Sequence, residues 1–473
     1  MTIDMLPGDA LLDIFDYYVN ATQHDFYQGI EIWHTLVHVC RRWRNVVFGS
    51  PRRLKLRLFC TARKPVRENL NIWPKFPIVI RQYCTQTCSL DNILAALERN
   101  ERVLNIALGV AGNFQLEQIL PAMMHKPFPV LTDLILGSMD DSGPDVPDSF
   151  LGGSAPHLRS LWLSRVPFPG LPKLLLSSTQ LVELSILNVS HSRFIFPAVM
   201  TNCLAALTRL ERLDLVLLPP GSSEDWRYPP PHTRSVLPSF TYFRFSGINS
   251  YLEDLVAGID APLLNTLDIR FRQYHRFDSP HFSQFISRTI MHRAPDKARV
   301  ALSDRVVSIV LSSPSQVSDN LSVASPSLTQ IPDDGGFALR ISYVEPTWLP
   351  SLAHVCIPSL PPLHTVEHLY IRKGMFDSLH WQSTATSQWF ELLCPFTAVK
   401  DLYLSEEFAP GLELIGERET EVLSALQNLF LSELESEPVQ EVVGKFVAAR
   451  RLKGHPIAVS SWEIKQDWPE IDN

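Results

Sequence analysis

The histidines of this chain include one spacing that is typical of zinc-dependent hydrolysis. His364, Glu367 and His368 match the H-x-x-E-H pattern, which on a helix directs two imidazoles and a carboxylate toward one metal ion. The apolar residues Leu369 and Ile371 alternate with polar ones beside it, which predicts a β-strand. Side chains on a strand alternate between two faces, so this segment would not present the two histidines and the glutamate together as one face of a helix does. We therefore predict no zinc catalysis here.

A second group of possible metal ligands lies near the N-terminus. His34 and His38 are four residues apart on a predicted helix, and Cys40 follows. A structural zinc site needs four ligands, and no fourth candidate has a suitable spacing. Cys84 and Cys88 form a C-x-x-x-C pair that has no second pair to complete a site. We therefore predict that the chain binds no metal and no other cofactor.

Motifs for other chemistry are missing. The sequence contains no P-loop, no dinucleotide-binding G-x-G-x-x-G and no nucleophile elbow G-x-S-x-G. No nucleophile is paired with a base at a recognisable spacing. We therefore predict a protein that is not an enzyme.

Aromatic and arginine side chains recur within one short pattern, apolar-x-x-apolar-x-apolar. Its third and fifth positions flank a buried one and should point to the same exposed side of a strand. These positions hold Asp133 and Ile135, Ser160 and Trp162, Glu183 and Ser185, Arg212 and Asp214, Tyr242 and Arg244, Thr266 and Asp268, His368 and Tyr370, Asp401 and Tyr403, and Asn428 and Phe430. Tyr, Trp and Arg dominate the energetics of protein interfaces. The predicted target-binding residues are therefore Trp162, Tyr242, Arg244, Tyr370, Tyr403 and Phe430.

The pattern that carries these residues is repeated along most of the chain. It begins at Val103, Leu131, Leu158, Leu181, Leu210, Phe240, Leu264, Val306, Val366, Val399 and Leu426. The first seven starts are 23 to 30 residues apart, a period that is typical of leucine-rich repeats. Each unit would contribute a strand and a helix or loop, and stacked units would bury one another's apolar faces. We predict an α/β leucine-rich-repeat solenoid over residues 52–473, an irregular horseshoe because most units lack the usual asparagine after the strand.

Two segments interrupt the predicted array, and a third closes it. Residues 219–232 contain clustered prolines and are predicted to form a loop. Residues 312–336 are rich in serine and are predicted to be disordered or an inserted loop, with further strands starting near Ala298 and Ala338. Residues 437–473 combine an amphipathic helix with a strand-like segment, which predicts a cap on the last repeat.

The first 51 residues have a helical pattern instead. Leu11, Phe15 and Tyr18 recur at helical spacing behind Leu6 and Pro7, which predicts one amphipathic helix. A second helix is predicted from about residue 32, with apolar positions at Trp33, Leu36, Val37, Cys40 and Trp43. Ser50-Pro51 should end it, and the alternation of Leu54, Leu56 and Leu58 predicts a strand. Two such short helices cannot bury their apolar faces alone and need a partner in this chain or in another.

Together these N-terminal residues resemble an F-box. The resemblance rests on Leu-Pro at 6–7, Leu-Leu-x-Ile-Phe at 11–15, Val-Cys-Arg-Arg-Trp at 39–43, and Ser-Pro at 50–51 with Leu54. Over nearly its whole length the chain is similar to fungal F-box proteins with leucine-rich repeats. The segment from Asp16 to Ile32 is longer than the usual F-box gap.

The resemblance implies a function. F-boxes dock a Skp-type adaptor, which joins them to a cullin scaffold in SCF ubiquitin ligases. Carried over by position, the adaptor face and the packing beneath it would be formed by Leu6, Pro7, Leu11, Leu12, Ile14, Phe15, Leu36, Cys40 and Trp43. The chain would then be a substrate-recognition subunit that holds an unknown target protein near a ubiquitin-loaded enzyme, so that it acts through proximity.

An alternative remains open at this point. The chain could be a non-ligase leucine-rich-repeat binding or scaffold protein, whose F-box-like helices cap the array. In that case the apolar faces of Leu11, Phe15 and Trp43 should be buried within the chain. If the helices dock an adaptor, part of that surface should be exposed in the free protein.

Composition limits the partners and the compartment. The net charge is −8, and 45% of the 473 residues are hydrophobic, which is typical of a globular protein. Arg41 to Arg67 contains ten Lys and Arg without an acid, but these interleave with apolar residues, so nucleic-acid binding is not expected. We see no signal peptide and no apolar stretch long enough to span a membrane. Seven scattered cysteines fit free thiols, which predicts the cytoplasm, the nucleus or both.

Overall fold

The computed structural model describes most of the chain, with gaps at both ends and at several internal segments. The described residues are 6–21, 33–60, 66–82, 90–140, 143–190, 195–218, 234–274, 280–289, 295–302, 306–312, 336–343, 363–373, 392–417, 422–432 and 437–462. The predicted loop at 219–232, most of the one at 312–336, and Cys84 and Cys88 lie outside them. By its contacts the chain divides into two compact units, residues 1–210 and 211–473. Each is mixed α/β and is built on a mostly parallel sheet.

The first unit begins with three helices, α1 (Gly8–Ala21), α2 (Trp33–Val39) and α3 (Arg41–Gly49). The carbonyl of Pro7 accepts a hydrogen bond from the backbone N–H of Leu11 at 3.1 Å, which starts α1 directly after the proline. The helix α3 ends before Ser50-Pro51, as predicted, because a residue that precedes proline is disfavoured in helical conformation.

The predicted second helix is two helices, and Cys40 separates them. Its backbone is extended, with φ −156° and ψ 169°, and its Sγ accepts a hydrogen bond from the N–H of Trp43 at 3.5 Å. Cys40 is therefore the N-cap residue of α3. The prediction of one continuous helix was wrong because the apolar spacing continues across the break, so periodicity does not reveal it.

The predicted strand over Leu54 to Leu58 is also wrong for most of its length. The chain turns here, with Leu54 N–H donating to the Ser50 carbonyl at 3.2 Å and Leu56 N–H to the Pro51 carbonyl at 2.9 Å. Strand β1 begins only at Leu58 and runs to Cys60. The alternating leucines are nevertheless buried, because a turn and a strand can both direct them into one core.

That core joins the helices to the start of the sheet. Leu11 and Phe15 of α1 pack in one hydrophobic cluster with Trp33 of α2, Leu58 of β1 and Phe76. The predicted domain boundary at residue 51 crosses this cluster, and the two-domain assignment stays a prediction.

The sheet of the first unit is wholly parallel, in chain order. Its strands are β1, β2 (Ile78–Gln82), β3 (Val103–Ala111), β4 (Asp133–Ser138), β5 (Ser160–Ser164) and β6 (Glu183–Ser190). The α-helices that follow α3 are α4 (Val66–Ile72), α5 (Leu90–Leu97), α6 (Asn113–Ile119), α7 (Leu171–Ser177) and α8 (Pro197–Ala206). Short 3-10 helices cover Asn100–Arg102, Leu120–Met123 and Leu151–Gly153.

The repeated leucines are in register from strand to strand. Leu134 of β4 pairs with Leu161 of β5, which pairs with Leu184 of β6, and all three are buried. The residues just before these strands are also hydrogen-bonded to one another. The backbone N–H of Arg159, before β5, donates to the carbonyl of Thr132, before β4, at 2.7 Å. Successive segments therefore repeat the same contacts, which explains the near-constant period in the sequence.

The second unit contains a longer sheet. Its strands are β7 (Arg212–Leu218), β9 (Tyr242–Gly247), β11 (Thr266–Tyr274), β12 (Lys297–Leu302), β13 (Val306–Ser312), β14 (Gly336–Tyr343), β15 (His368–Lys373), β16 (Asp401–Leu404), β17 (Asn428–Leu431) and β18 (Ala458–Ser461), while β8 (Ser235–Val236) and β10 (Ile259–Asp260) form a separate pair. The helices are α9 (Asn249–Ala257), α10 (Pro280–Thr289), α11 (Pro410–Glu417) and α12 (Glu437–Leu452), with 3-10 helices at Leu363–Thr365 and Glu406–Phe408.

The strand at Val306, which we predicted to be a repeat unit, is antiparallel to its neighbours. The order in this part of the sheet is β11-β14-β13-β12-β15, and β13 is antiparallel to both of its neighbours. Only three residues connect β12 to β13, whereas a parallel connection needs a crossover of about a dozen residues or more. The strands predicted near Ala298 and Ala338 are confirmed, and they restore the parallel direction on both sides.

The predicted C-terminal helix and strand are confirmed. Val443 and Phe446 of α12 are buried, and β18 is the last strand of the sheet order. Within the described residues, no helix combines the length and the apolar character that crossing a membrane requires.

Candidate binding surfaces

The nine residues that the F-box resemblance assigns to an adaptor differ in burial. Leu11, Phe15 and Leu36 are buried in the cluster that joins the helices to the sheet. Half-buried positions are Leu6, Leu12, Cys40 and Trp43, and exposed positions are Pro7 and Ile14. The set therefore contains both core residues and surface residues, and Trp43 connects them through its contact with Phe15, with ring centroids 4.7 Å apart.

Apolar surface remains on these helices although they have a core. Ile14 is 45% exposed, Tyr17 is 77% exposed and Val39 is 58% exposed. Arg41 and Arg44 on α3 are also exposed. The N-terminal helices thus present apolar side chains together with cationic ones, a composition that suits contact with another protein.

The histidines near the N-terminus pack on an aromatic ring. His34 stacks on Trp73 with centroids 4.6 Å apart and ring planes 21° apart, and His38 lies edge-on to the same ring at 6.2 Å. In the part of the chain that the structure describes, no group of three or more His, Cys, Asp or Glu could hold a metal ion.

The predicted strand over the H-x-x-E-H segment begins only at its last residue. His364 lies in the 3-10 helix Leu363–Thr365, and His368 is the first residue of β15. The Nδ1 atom of His368 is 2.8 Å from Asp401 Oδ2, and the side-chain amide of Asn428 donates to Asp401 Oδ1 at 2.7 Å. His368 is thus part of a polar row across three strands and does not face His364 on a helix.

Trp162 is half-buried on one face of the first unit's sheet. It pairs with Ile135 of β4 and Ser185 of β6. A Cβ added at Gly137 would lie 3.0 Å from Trp162 Cζ3 and 2.6 Å from the carbonyl oxygen of Gly109. The tryptophan therefore packs over a position where only glycine fits, and part of its ring is left accessible.

The second unit's sheet gathers a network of charged side chains. Asp214, Arg244 and Asp268 are adjacent in register on β7, β9 and β11. Arg244 Nη1 is 3.4 Å from Asp214 Oδ2, and Arg244 Nε is 3.6 Å from Asp268 Oδ2. Arg270 Nη2 approaches that same Asp268 oxygen at 3.3 Å. Arg244, a predicted target contact, is therefore already paired within the chain.

Two predicted surface positions in this region are buried. Asp268 lies between Arg244 and Arg270, which cover its carboxylate, and Thr266 is buried on the same strand. The alternation of the strand is as predicted, but the long side chains of Arg244 and Arg270 cover the shorter one of Asp268. Tyr242 is similarly covered, since the guanidinium of Arg212 lies 4.2 Å from its ring centroid.

Burial dominates the titration of Asp214. Burial raises the pKa of its carboxyl to about 6, and the nearby Asp268 acts in the same direction, whereas Arg244 opposes both. The ion pair with Arg244 is therefore not strong enough to offset the loss of solvation. This carboxyl titrates close to neutral pH.

We expect the free energy of unfolding to depend on Asp214 between about pH 4 and pH 7. The folded state retains a proton up to about pH 6, whereas the unfolded chain releases it near 3.8. Stability from this group therefore falls as pH rises through that window, by up to about 3 kcal/mol. Urea unfolding of the natural chain and of Asp214→Asn should be measured across this range. The free energy of unfolding of the variant should increase relative to that of the natural chain as pH rises.

Salt provides the control for this experiment. Because burial is the largest cause of the shift, the pH-dependent difference should persist at about 0.5 M salt, where exposed charges are screened. A difference between the two proteins that stays constant from pH 4 to 7 would contradict the raised pKa.

Three aromatic rings stack across neighbouring strands of the second unit. Tyr370 of β15 and Tyr403 of β16 have centroids 4.2 Å apart with planes 9° apart, and Tyr403 and Phe430 of β17 are 4.4 Å and 8° apart. Trp462, just beyond β18, meets Tyr403 edge-on at 5.4 Å and Tyr370 at 6.1 Å. We call Tyr370, Tyr403 and Phe430 the aromatic ladder. All three rings are half-buried, and burial and Tyr370 together raise the pKa of Tyr403 to about 12.

No family model matches the chain, and a search among curated proteins found no match either.

Several residues on these surfaces were missed at the sequence level. Applying the same alternation to β12 would have assigned Arg299 to the face of the aromatic ladder, beside Tyr370. Arg372 is two residues beyond Tyr370 on the same face, outside the six-residue pattern that we used. No sequence pattern indicated that Trp462 lies beside the ladder, because that position depends on the pairing of β18 with β17.

Proposed function

We propose that this chain is the substrate-recognition subunit of an SCF-type ubiquitin ligase. In this proposal α1 to α3 form an F-box that docks a Skp-type adaptor, and through it a cullin scaffold. The parallel strands and their helices form an irregular leucine-rich-repeat array that binds a target protein. The chain would contribute no catalytic group and would act in the cytoplasm, the nucleus or both by raising the effective concentration of the target.

One observation carries the adaptor part of the proposal. The N-terminal helices pack in a core that they share with the start of the sheet, and they still expose the side chains of Ile14, Tyr17 and Val39. Apolar side chains that remain at the surface of a completed core suit a protein interface. The exposed Arg41 and Arg44 nearby suit a partner with acidic surface.

The burial of Leu11, Phe15 and Leu36 favours a second candidate function. These residues share a core with Leu58 of β1 and with Phe76, so the helices also cover the beginning of the sheet. A scaffold protein whose helices only cap the array would have the same contacts. The two functions differ in whether the exposed residues are needed for an adaptor, and this can be measured.

The test is co-purification of the intact chain with a Skp-type adaptor, using surface variants. We expect Ile14→Glu to weaken adaptor binding by about a hundredfold, because a carboxylate would be buried in an apolar interface at a cost of about 3 kcal/mol. Val39→Glu should act in the same direction. Because Ile14 is 45% exposed, Val39 is 58% exposed and neither belongs to the buried core, neither change should unfold the chain.

The matched control is Leu176→Glu, which places the same charge on an apolar residue of α7 that is 53% exposed. It should bind the adaptor as the natural chain does. If the folded natural chain fails to bind, or if all three variants bind equally well, the adaptor proposal is overturned and the scaffold function is favoured. Removing residues 1–50 is a poorer test, because it would expose the shared core at Leu58 and Phe76.

A further inference from the structure

Two arginines lie beside the aromatic ladder on the same face of the second unit's sheet. Arg299 of β12 pairs in register with Tyr370, which pairs with Tyr403 and then with Phe430. Arg372 follows Tyr370 by two residues on β15, so both side chains point to one face of the sheet. The row from Arg299 to Phe430 therefore places a cation at one end of a run of stacked rings.

The rings of the ladder remain available to a ligand. Tyr370, Tyr403 and Phe430 are each half-buried, although Trp462 packs edge-on against the two tyrosines. Stacked and partly exposed aromatic side chains bury a large apolar area on binding and lose little conformational freedom. This part of the face therefore suits an aromatic or large aliphatic side chain.

The two arginines place positive charge at one end of the aromatic ladder. Burial and, to a smaller extent, the charge of Arg299 lower the pKa of Arg372 to about 10. Two like charges are thus held near each other on a partly desolvated surface. A carboxylate placed between them would be stabilised by both guanidiniums.

We propose that Arg299, Arg372 and the aromatic ladder bind an extended acidic peptide segment of a partner protein. Its carboxylates would contact the arginine pair, and an adjacent aromatic or large aliphatic side chain would lie on the ladder. The four strands that carry the row are spaced by about 4.8 Å, so the row is about 14 Å long, which matches about four residues of extended peptide. The inference rests on the proposed function to the extent that this segment belongs to the ligase target.

The test uses an unbiased probe, a phage-displayed library of random 12-residue peptides selected on the intact chain. We expect enriched sequences in which Asp or Glu stands beside an aromatic or large aliphatic residue. A synthetic copy of the most enriched sequence should bind at least tenfold more weakly to Arg372→Gln and to Tyr403→Ala. Its binding should also weaken as salt concentration rises.

A matched control separates this surface from a general loss of charge. Arg81 of β2 is also a half-buried strand arginine, with its guanidinium 5.5 Å from the ring centroid of Phe59. Arg81→Gln should bind the peptide as the natural chain does. The melting temperature of Arg372→Gln should be measured beside that of the natural chain, so that a loss of peptide binding is distinguished from a loss of folding. Enriched sequences that lack acids, binding that is insensitive to both ladder-face variants, or no enrichment would each overturn the proposal.

The same variants distinguish this inference from the proposed function. Arg372→Gln should co-purify with the adaptor as well as the natural chain does, because the arginine lies in the second unit and the N-terminal helices in the first. Peptide binding without adaptor binding would overturn the ligase function and leave the peptide surface supported. Adaptor binding without an acidic-peptide preference would overturn the peptide surface alone.

Discussion

Replacing Phe15 with alanine is expected to lower the free energy of unfolding of the first unit by about 3–5 kcal/mol. Phe15 is 1% exposed, and its ring contacts Trp43 at a centroid distance of 4.7 Å. It belongs to the same cluster as Leu58 of β1 and Phe76. The lost side chain would therefore leave a cavity between the helices and the sheet. Urea unfolding followed by circular dichroism would measure the loss.

Tyr17→Ala is the matched control for this change. Tyr17 is on the same helix but is largely exposed, so its loss should change stability by no more than about 0.5 kcal/mol. Hydrogen exchange adds a second measurement, because a shared core predicts faster exchange at the amides of β1 and β2 in Phe15→Ala. Exchange that increases only within α1 to α3 would contradict the shared core and would indicate that the helices unfold independently.

Replacing Glu253 with alanine should destabilise the second unit by a similar amount. This carboxylate is buried on α9 and accepts backbone hydrogen bonds at the start of α10, from His281 N–H at 2.9 Å and from Phe282 N–H at 2.8 Å. Hydrogen bonds to charged groups contribute about 1.5–3 kcal/mol each, so we expect a loss of about 3–5 kcal/mol. The free helix terminus also favours a negative charge. Urea unfolding would measure the change.

Two further variants make this prediction specific. Glu253→Gln keeps one oxygen acceptor and loses the charge, so its destabilisation should be smaller than that of Glu253→Ala. Glu441→Ala removes an exposed carboxylate that pairs with Lys445 at 3.0 Å, and it should cost no more than about 0.5 kcal/mol. If Glu253→Ala is as stable as Glu441→Ala, the carboxylate does not stabilise the start of α10.

The strands were the most predictable part of the fold. All eleven occurrences of the repeated pattern coincide with strands, from β3 at Val103 to β17 at Asn428. A parallel strand buries its alternate leucines in every unit, so the same local pattern recurs and can be recognised without knowledge of the neighbours. The direction of β13 could not be predicted in this way, because alternation is the same for parallel and antiparallel strands.

The N-terminal helices were predicted less accurately, for a different reason. The break at Cys40 depends on one extended residue whose thiol caps α3. Cysteine is not among the usual N-cap residues, and the apolar spacing from Trp33 to Trp43 continues through the break. The turn at Lys55, with φ 48°, likewise follows from packing against the core and not from a glycine or asparagine in the sequence.

The candidate surfaces were predicted in part. The face of each strand followed from alternation, and Tyr370, Tyr403 and Phe430 do lie together on one face. Whether a residue on that face is available depends on the length of its neighbours' side chains. Arg244 is paired with acids on both sides and the ring of Tyr242 lies against Arg212, whereas the ladder rings stack on one another.

The sequence by itself determined the repeated strands, the faces they present and the helical character of residues 8–21 and 33–49, because each depends on local periodicity. Tertiary structure decided which of those residues meet. Leu11 and Phe15 share a core with the sheet, Asp214 is buried enough to titrate near pH 6, and Arg299 lies beside the aromatic ladder. These outcomes depend on the order and direction of strands that are distant in the chain, and local spacing carries no information about that order.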